Sequence, residues 1–274
     1  MRRLLNLHPN PGTRLALAIL PFVAVLATYL VASQLRLAEN PGDKMLPAFS
    51  SFAEAMHRLA LEPSARTGQY DFWRDTLASL RRLSIGVGAS AAIGLTLGLA
   101  MGVVPVLRAT VSPFVACLSM VPPMAVLPIL FIALGLGEQA KIVLIVIGIA
   151  PGIVREIELR ALEIPAEQII KAQTLGASTW QYALRVALPQ VMPRLLTAVR
   201  LQLGPAWLFV ISSEAIAATE GLGYRIFLVR RYLAMDVILP YVVWITLLAF
   251  AMDFALRAAS RRLCPWAPEA GARA

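Results

Sequence analysis

Long apolar runs separated by short polar stretches dominate the chain. A helix needs about 20 residues to cross the hydrocarbon layer of a membrane, so runs of this length predict transmembrane helices. We therefore predict an all-α, polytopic membrane protein with about six spans. The predicted spans are residues 15–35, 77–104, 111–136, 139–153, 195–217 and 237–256.

The first run follows the basic start Arg2-Arg3, as a signal peptide would. It is too long for a signal peptide and no small-residue cleavage site closes it, so we predict a retained helix. Residues 1–76 then form an N-terminal transmembrane helix and outer connection, residues 77–260 a transmembrane core, and residues 261–274 a disordered cytoplasmic tail. A slight excess of Lys and Arg on the short inner connections places both termini inside.

The long outer connection, residues 36–74, is not uniformly polar. Phe49, Phe52, Met56 and Leu59 recur at roughly helical spacing. This pattern predicts a short helix at the membrane interface.

The inner stretch from Glu156 to Arg194 is too polar to span a membrane, yet it is patterned. Ser178 can cap a second helix after a turn at Gly176, which predicts two short helices that meet at this glycine. Such a hairpin is either an ordinary cytoplasmic loop or a docking element in which Trp180 and Tyr182 enter a groove of a partner.

Composition supports the membrane assignment. Hydrophobic residues make up 58% of the 274 residues, charged residues only 15%, and the mean hydropathy is +0.71. A soluble fold, a disordered chain and a disulfide scaffold are all inconsistent with these values. The net charge of +9 could indicate nucleic acid binding. The basic residues lie mostly between apolar runs, however. We therefore predict that they keep the connecting loops on the cytoplasmic side of the membrane, and that the chain has no nucleic acid partner.

The sequence has little that could support catalysis. Cys117, Cys264, His8 and His57 lie far apart and offer no metal or redox motif. There is no GxxxxGK[ST] phosphate loop and no Ser-His-Asp or HExxH set. We expect neither an enzyme nor a chain with a cofactor or metal of its own. The glycines of the second span include a GxxxG spacing at Gly94 and Gly98, which favours close helix packing.

The inner hairpin contains the segment Lys171-Ala-Gln-Thr-Leu-Gly-Ala-Ser178 and, further on, Val186-Ala-Leu-Pro189. These residues resemble the EAA loop of bacterial ABC importer permeases. The opening departs from the family pattern, since the family's Glu falls on Ile170 and its first Ala on Lys171. In such permeases this loop forms a coupling helix that seats in an ATPase subunit.

Further segments resemble the nitrate, sulfonate and taurine branch of these permeases. They are Ser119-Met-Val-Pro-Pro123, Ser213-Glu-Ala-Ile216 and Gly221-Leu-Gly-Tyr224. Residues 40–47 resemble a segment of permeases in this branch that are associated with the metabolism of urea- and guanidine-type nitrogen compounds. The resemblance implies a type I ABC importer permease fold in the bacterial inner membrane. It also implies two permease copies, an ATPase dimer that holds ATP and Mg, and a periplasmic or lipid-anchored binding protein.

Candidate site residues follow from the hairpin and from unusual residues in the spans. The translocation pathway could include Met120, Trp207, and Pro122 and Pro123, which interrupt the third span together with Pro128. Glu214 is either a gate or pathway residue, or part of a structural ion pair or cap, for instance with an Arg of the segment 225–231. The residues expected to couple to the ATPase are Gln173, Thr174, Leu175, Gly176, Ala177, Ser178, Trp180 and Pro189.

Other charged positions also have two interpretations. We expect Asp253 to pair with Arg257, one helical turn further on. The turn 221–224, with Arg225, Arg230 and Arg231 after it, is either a surface for the binding protein or a solvated loop. A stand-alone secondary transporter or channel, or an intramembrane enzyme, remains an alternative for the whole chain. The first would require repeat symmetry and the second convergent acidic or His residues.

Overall fold

The computed structural model describes residues 10–40, 42–64 and 68–266, and within these ranges every regular element is helical. The helices are α1 (Pro11–Glu39), α2 (Phe49–Leu61), α3 (Asp71–Val103), α4 (Pro105–Leu118), α5 (Pro123–Leu134), α6 (Glu138–Leu162), α7 (Ala166–Thr174), α8 (Thr179–Tyr182), a π turn (Ala183–Ala187), α9 (Leu188–Leu201), α10 (Leu203–Ala217), α11 (Leu222–Val229), a 3₁₀ turn (Arg230–Tyr232) and α12 (Met235–Leu263).

The all-α prediction is confirmed, and several span boundaries need correction. By length and composition, three described helices can each cross a membrane, namely α1, α3 and α12; each of two bent pairs would add one, which makes up to five. The predicted span 139–153 belongs to the longer α6, which continues to Leu162 and carries charged residues near both ends. Helix α12 continues to Leu263, three residues into the predicted tail, and residues 267–274 lie outside the described ranges.

The centre of the molecule is the contact between α3 and α6. The helices run parallel, because Gly86 of α3 faces Ile145 and Gly98 faces Ile157. A methyl group on Gly98 would lie 2.7 Å from the carbonyl oxygen of Val154, so only a hydrogen fits there. The predicted role of the small residues in close helix packing is thus confirmed.

Two predicted spans are broken. Helices α4 and α5 meet at 95°, with Pro122 and Pro123 at the break, whereas Pro128 lies inside α5 without interrupting it. Helices α9 and α10 meet at 43° around Gln202. The predicted span 195–217 is therefore not one continuous helix, because it begins inside α9, which runs from Leu188 to Leu201, and continues through α10.

Helix α1 lies apart from the core, with none of its most apolar stretch buried. It is held at its C-terminal half, where the Tyr29 hydroxyl donates to the carbonyl of Pro47 at 2.7 Å and its ring contacts Phe49 and Phe52. The helix predicted around Phe49 is present as α2, and Met56 on it packs against the core.

Helices α9 and α12 are joined by an ion pair that the sequence did not predict. Asp253 accepts two hydrogen bonds from Arg200, at 2.7 and 3.0 Å. The expected contact with Arg257 is present but longer, at 3.4 Å. A bidentate guanidinium–carboxylate pair is the stronger contact, so Asp253 mainly connects two helices rather than two turns of one helix.

The packing of α3 on α6 predicts different effects for two glycines of α3. Replacing a helical Gly with Ala gains about 1 kcal/mol of helix propensity where space is available. Gly88→Ala should therefore keep or raise the midpoint of thermal unfolding in detergent, since no atom lies within 4 Å of the added methyl group. Gly98→Ala should lower it, because overpacking costs about 1–3 kcal/mol. Equal midpoints for the two variants would contradict this packing.

Candidate functional site

The hairpin between α6 and α9 is built around one glycine turn. Gly176 has φ +77°, a conformation that favours glycine, and it ends α7. The amide of Ala177 donates to the carbonyl of Ala172 at 3.0 Å, and that of Gly176 donates to Gln173 at 2.9 Å. These bonds satisfy the last carbonyls of α7 and fix the direction in which the chain leaves the helix.

Helix α8 begins with a capping box, as predicted for Ser178. The Ser178 hydroxyl accepts from the amide of Gln181 at 3.3 Å, and the Gln181 side chain accepts from the amide of Ser178 at 2.8 Å. The two short helices are thus set at a defined angle by local hydrogen bonds.

The tip of the hairpin is apolar and exposed. Leu175 is 83% exposed and Trp180 is 71% exposed. Tyr182 does not belong to this surface, contrary to the docking interpretation, since it is buried against the core. A rigid turn that presents a large aromatic and a leucine outside the core is typical of an interaction site.

A π turn at Ala183–Ala187 joins the hairpin to α9 without a loop. Pro189 has no N–H with which to continue the ordinary helical bonding to Arg185, and the amide of Leu188 instead donates to the carbonyl of Ala183. Pro189 is partly buried, and its carbonyl accepts from Trp266 at 3.3 Å. The hairpin and the end of α12 therefore lie at the same end of the molecule, as both were predicted to lie inside.

A second polar site lies at the opposite end of α6, around Glu214. This residue is 0% exposed. Its carboxylate accepts from the Ser79 hydroxyl at 2.8 Å, from Arg82 at 2.6 Å and from the amide of Gly223 at 2.9 Å. A buried carboxylate with this many donors is fully satisfied.

Arg82 connects Glu214 to α6. It is 1% exposed and donates two hydrogen bonds to Glu138, at 2.6 and 2.8 Å, and one to the carbonyl of Glu220 at 2.9 Å. Lys141 contacts the same Glu138 carboxylate at 3.0 Å. Two basic and two acidic side chains thus balance each other, as a buried ionic cluster requires.

A neighbouring ion pair holds the turn between α10 and α11. Asp75 accepts from the amide of Gly221 at 2.9 Å and from Arg225 at 2.7 Å. Arg225 also contacts Asp71 at 3.1 Å. Gly221 has φ +130°, and a side chain there would collide with the Glu214 carboxylate. We call the charged and polar residues around the 218–223 turn the corner cluster. They are Asp71, Asp75, Ser79, Arg82, Glu214 and Arg225.

Glu214 forms the structural ion pair that was one of its two predicted roles, but not with an Arg of segment 225–231. Arg225 binds Asp75 and Asp71, and the partner of Glu214 is Arg82. The sequence analysis missed the α3 residues of the corner cluster. Their spacing of four, four and three residues on one helical face was a usable signal: these residues are Asp71, Asp75, Ser79 and Arg82.

The other proposed pathway residues have different environments. Met120 is 78% exposed at the break between α4 and α5, next to Pro122 and Pro123. Trp207 is 4% exposed on α10, and its Nε1 makes no hydrogen bond to any residue in the described part of the chain. The role of these residues in a pathway stays a prediction.

Comparison with known proteins agrees with this architecture. Residues 92–264 match the family described as "Binding-protein-dependent transport system inner membrane component". The taurine transport system permease protein TauC of Escherichia coli is 37% identical over 194 residues, which cover 71% of this chain and 70% of TauC. The bicarbonate transport system permease protein CmpB of Synechococcus elongatus is 30% identical over 215 residues, or 76% of each chain.

Solved ABC transporters share the fold. A chain of the MetNI methionine ABC transporter in an inward facing conformation superposes with TM-score 0.60 at 27% identity, over 68% of this chain and 93% of that one. A chain of the bacterial alginate ABC transporter gives TM-score 0.64 over 92% of this chain and 94% of that one, at 15% identity, which is a likeness of fold alone.

The chain therefore belongs to the binding-protein-dependent transport system inner membrane component family. It is a membrane-embedded, multi-pass permease subunit of an ABC importer. The predictions of family and general function are confirmed.

The corner cluster predicts a large difference between two adjacent arginines. Arg82→Ala leaves Glu214 and Glu138 without their main partner, and an uncompensated buried charge costs about 3–5 kcal/mol. We expect a sharp fall in the thermal unfolding midpoint of the purified protein. Arg81→Ala is the matched control, since Arg81 is exposed and should tolerate the change.

The double variant Arg82→Met with Glu214→Leu should recover part of the lost stability, because both buried charges are then removed. Similar midpoints for Arg82→Ala and Arg81→Ala would show that the cluster contributes nothing.

Proposed function

We propose that this permease is driven by separate ATPase subunits, which bind the hairpin formed by α7 and α8. The observation that carries this proposal is the pair of exposed side chains Leu175 and Trp180 on either side of the fixed turn at Gly176. The proposed coupling residues Gln173, Thr174, Ala177 and Ser178 belong to the same turn, and Pro189 anchors its return into α9.

The continuity of the hairpin with the core supports a mechanical role. The π turn leads directly from α8 into α9, and Arg200 of α9 is bonded to Asp253 of α12. A displacement of the hairpin is therefore transmitted to two helices. ATP binding draws the ATPase subunits together. It favours one arrangement of these helices over another only if ATP has a different affinity for the two arrangements of the complex.

The remaining assembly follows from the family. We propose a homodimer of this chain in the lipid of the bacterial inner membrane, with the hairpins and both termini in the cytoplasm. Two ATPase subunits supply the ATP and Mg sites, so this chain itself is not an enzyme and has no cofactor. A periplasmic or lipid-anchored binding protein delivers the solute on the other side.

The transported solute is proposed to be small and polar, with an anionic group of the nitrate, sulfonate or taurine type. The relatives are named for taurine, bicarbonate and, at 30% identity over 210 residues, nitrate (NrtB of Synechocystis). A urea or guanidine derivative is the second candidate, favoured only by residues 40–47. The pathway includes Met120, Pro122, Pro123 and Trp207.

Glu214 is better suited to supporting the corner cluster than to contacting solute. Its oxygens are occupied by three donors, from Ser79, Arg82 and Gly223. An unscreened carboxylate in the pathway would also repel an anionic solute.

Coupling can be tested by replacing two aromatic residues whose side chains are almost equally exposed. Trp180→Ala should weaken binding of the ATPase subunit roughly tenfold or more, because large exposed aromatics commonly dominate interface energy. Phe250→Ala on α12 is the control, since Phe250 is 70% exposed but lies on a spanning helix. Binding is measured by titrating purified ATPase onto the permease in nanodiscs. Equal affinities for both variants would refute docking at the hairpin.

Solute class can be tested by uptake into proteoliposomes that contain the whole complex and its binding protein. ATP-dependent accumulation of labelled taurine, nitrate or bicarbonate is expected, and accumulation of neutral urea is not. Uptake of urea or a guanidinium compound with no uptake of the anionic solutes would replace the first candidate by the second. Uptake by this chain alone, without ATPase subunits, would refute the coupled mechanism.

A further inference from the structure

A groove of about 510 Å³ lies between α7 and the segment formed by α8 and the π turn. Its walls are partly apolar and partly basic, and no carboxylate side chain is among the residues that line it. The lining residues are Gln168, Lys171, Ala172, Leu175, Gly176, Ala177, Gln181, Arg185 and Val186.

The two cations that line the groove come from different elements. Lys171 lies on α7 and Arg185 on the π turn, and both are exposed. Within the described part of the chain, neither side chain makes an ion pair or side-chain hydrogen bond. Glu167, one turn before Lys171, is not among the residues of the groove wall. The groove therefore has two unneutralised positive charges beside apolar surface.

An occupant that matches this surface must be partly apolar and negatively charged. Opposite charges across an interface accelerate association and select the partner, while like charges exclude others. The groove adjoins Leu175 at the apolar tip, so a partner that covers Leu175 and Trp180 also meets the groove. Lys171 stands where the family pattern has its first Ala, and Ile170 stands where the pattern has Glu.

We propose that the groove receives a carboxylate-bearing segment of the ATPase subunit, with Lys171 and Arg185 as the residues that contact the carboxylate. This inference rests on the proposed function, because it requires that the hairpin is the ATPase site. It adds the chemistry of the partner: the surface of the ATPase that faces the groove has an Asp or Glu side chain.

Charge reversal tests the groove in the full complex. Lys171→Glu and Arg185→Glu should each weaken ATPase binding about tenfold or more in nanodiscs, and the salt dependence of the affinity should decrease. Lys171→Gln should weaken binding less than Lys171→Glu, because the Glu substitution also places a second negative charge one helical turn from Glu167. Arg194→Glu is the control, because Arg194 is exposed on α9 and does not line the groove.

Rescue identifies the partner group. Replacing one Asp or Glu of the ATPase contact surface by Lys should restore affinity for the Lys171→Glu or Arg185→Glu permease. Wild-type affinity in both reversed variants would overturn the inference. A loss that appears only in nanodiscs with anionic lipid, and that no ATPase substitution rescues, would also overturn it and assign the cations to lipid headgroups.

The outcome for Trp180→Ala separates this inference from the proposed function. If Trp180→Ala weakens ATPase binding and the charge reversals do not, the groove inference fails and the coupling site stands. If none of the three variants changes binding, both fail. Thermal midpoints measured for each variant exclude loss of folding, which is not expected at these exposed positions.

Discussion

The close approach of α3 and α6 is the constraint on which the other contacts depend. At Gly86, Gly94, Gly98 and Gly102, α3 has no side chain toward α6, so Ile145, Ile153, Ile157 and Ala161 of α6 lie directly against its backbone. Within a membrane the hydrophobic effect does not drive helices together, because the lipid tails are as apolar as the side chains. Close van der Waals packing must therefore hold the helices together. The same close approach places Arg82 beside Glu138, which makes the corner cluster possible.

The polar contacts differ between the two ends of the molecule. At the corner cluster, charges are paired, buried and bonded to backbone groups of the 218–223 turn. At the hairpin, the bonds are local to the turn, and large apolar and basic side chains remain exposed. Helix α6 connects the two ends, from Glu138 beside the corner cluster to Leu162 before the hairpin.

The predictions that held were those set by local chemistry. The cap at Ser178, the turn at Gly176 and the helix around Phe49 each depend on residues close in sequence. The sequence did not predict partners on distant helices. Asp253 pairs with Arg257 as expected but binds Arg200 more closely, and Glu214 forms its ion pair with Arg82, 132 residues away. Tyr182 is buried although it is two residues from the exposed Trp180, because side chains two positions apart on a helix point to different faces.

The sequence by itself determined that this chain is a helical membrane protein of a recognisable permease family, because hydropathy, glycine spacing and the hairpin motif are local properties. Only the tertiary structure decided which charges neutralise each other, since ion pairs such as Arg82–Glu214 and Arg225–Asp75 join helices that are distant in sequence. It also decided where the spans bend and which faces of the hairpin are exposed. These features depend on packing between elements, which residue patterns along one helix do not specify.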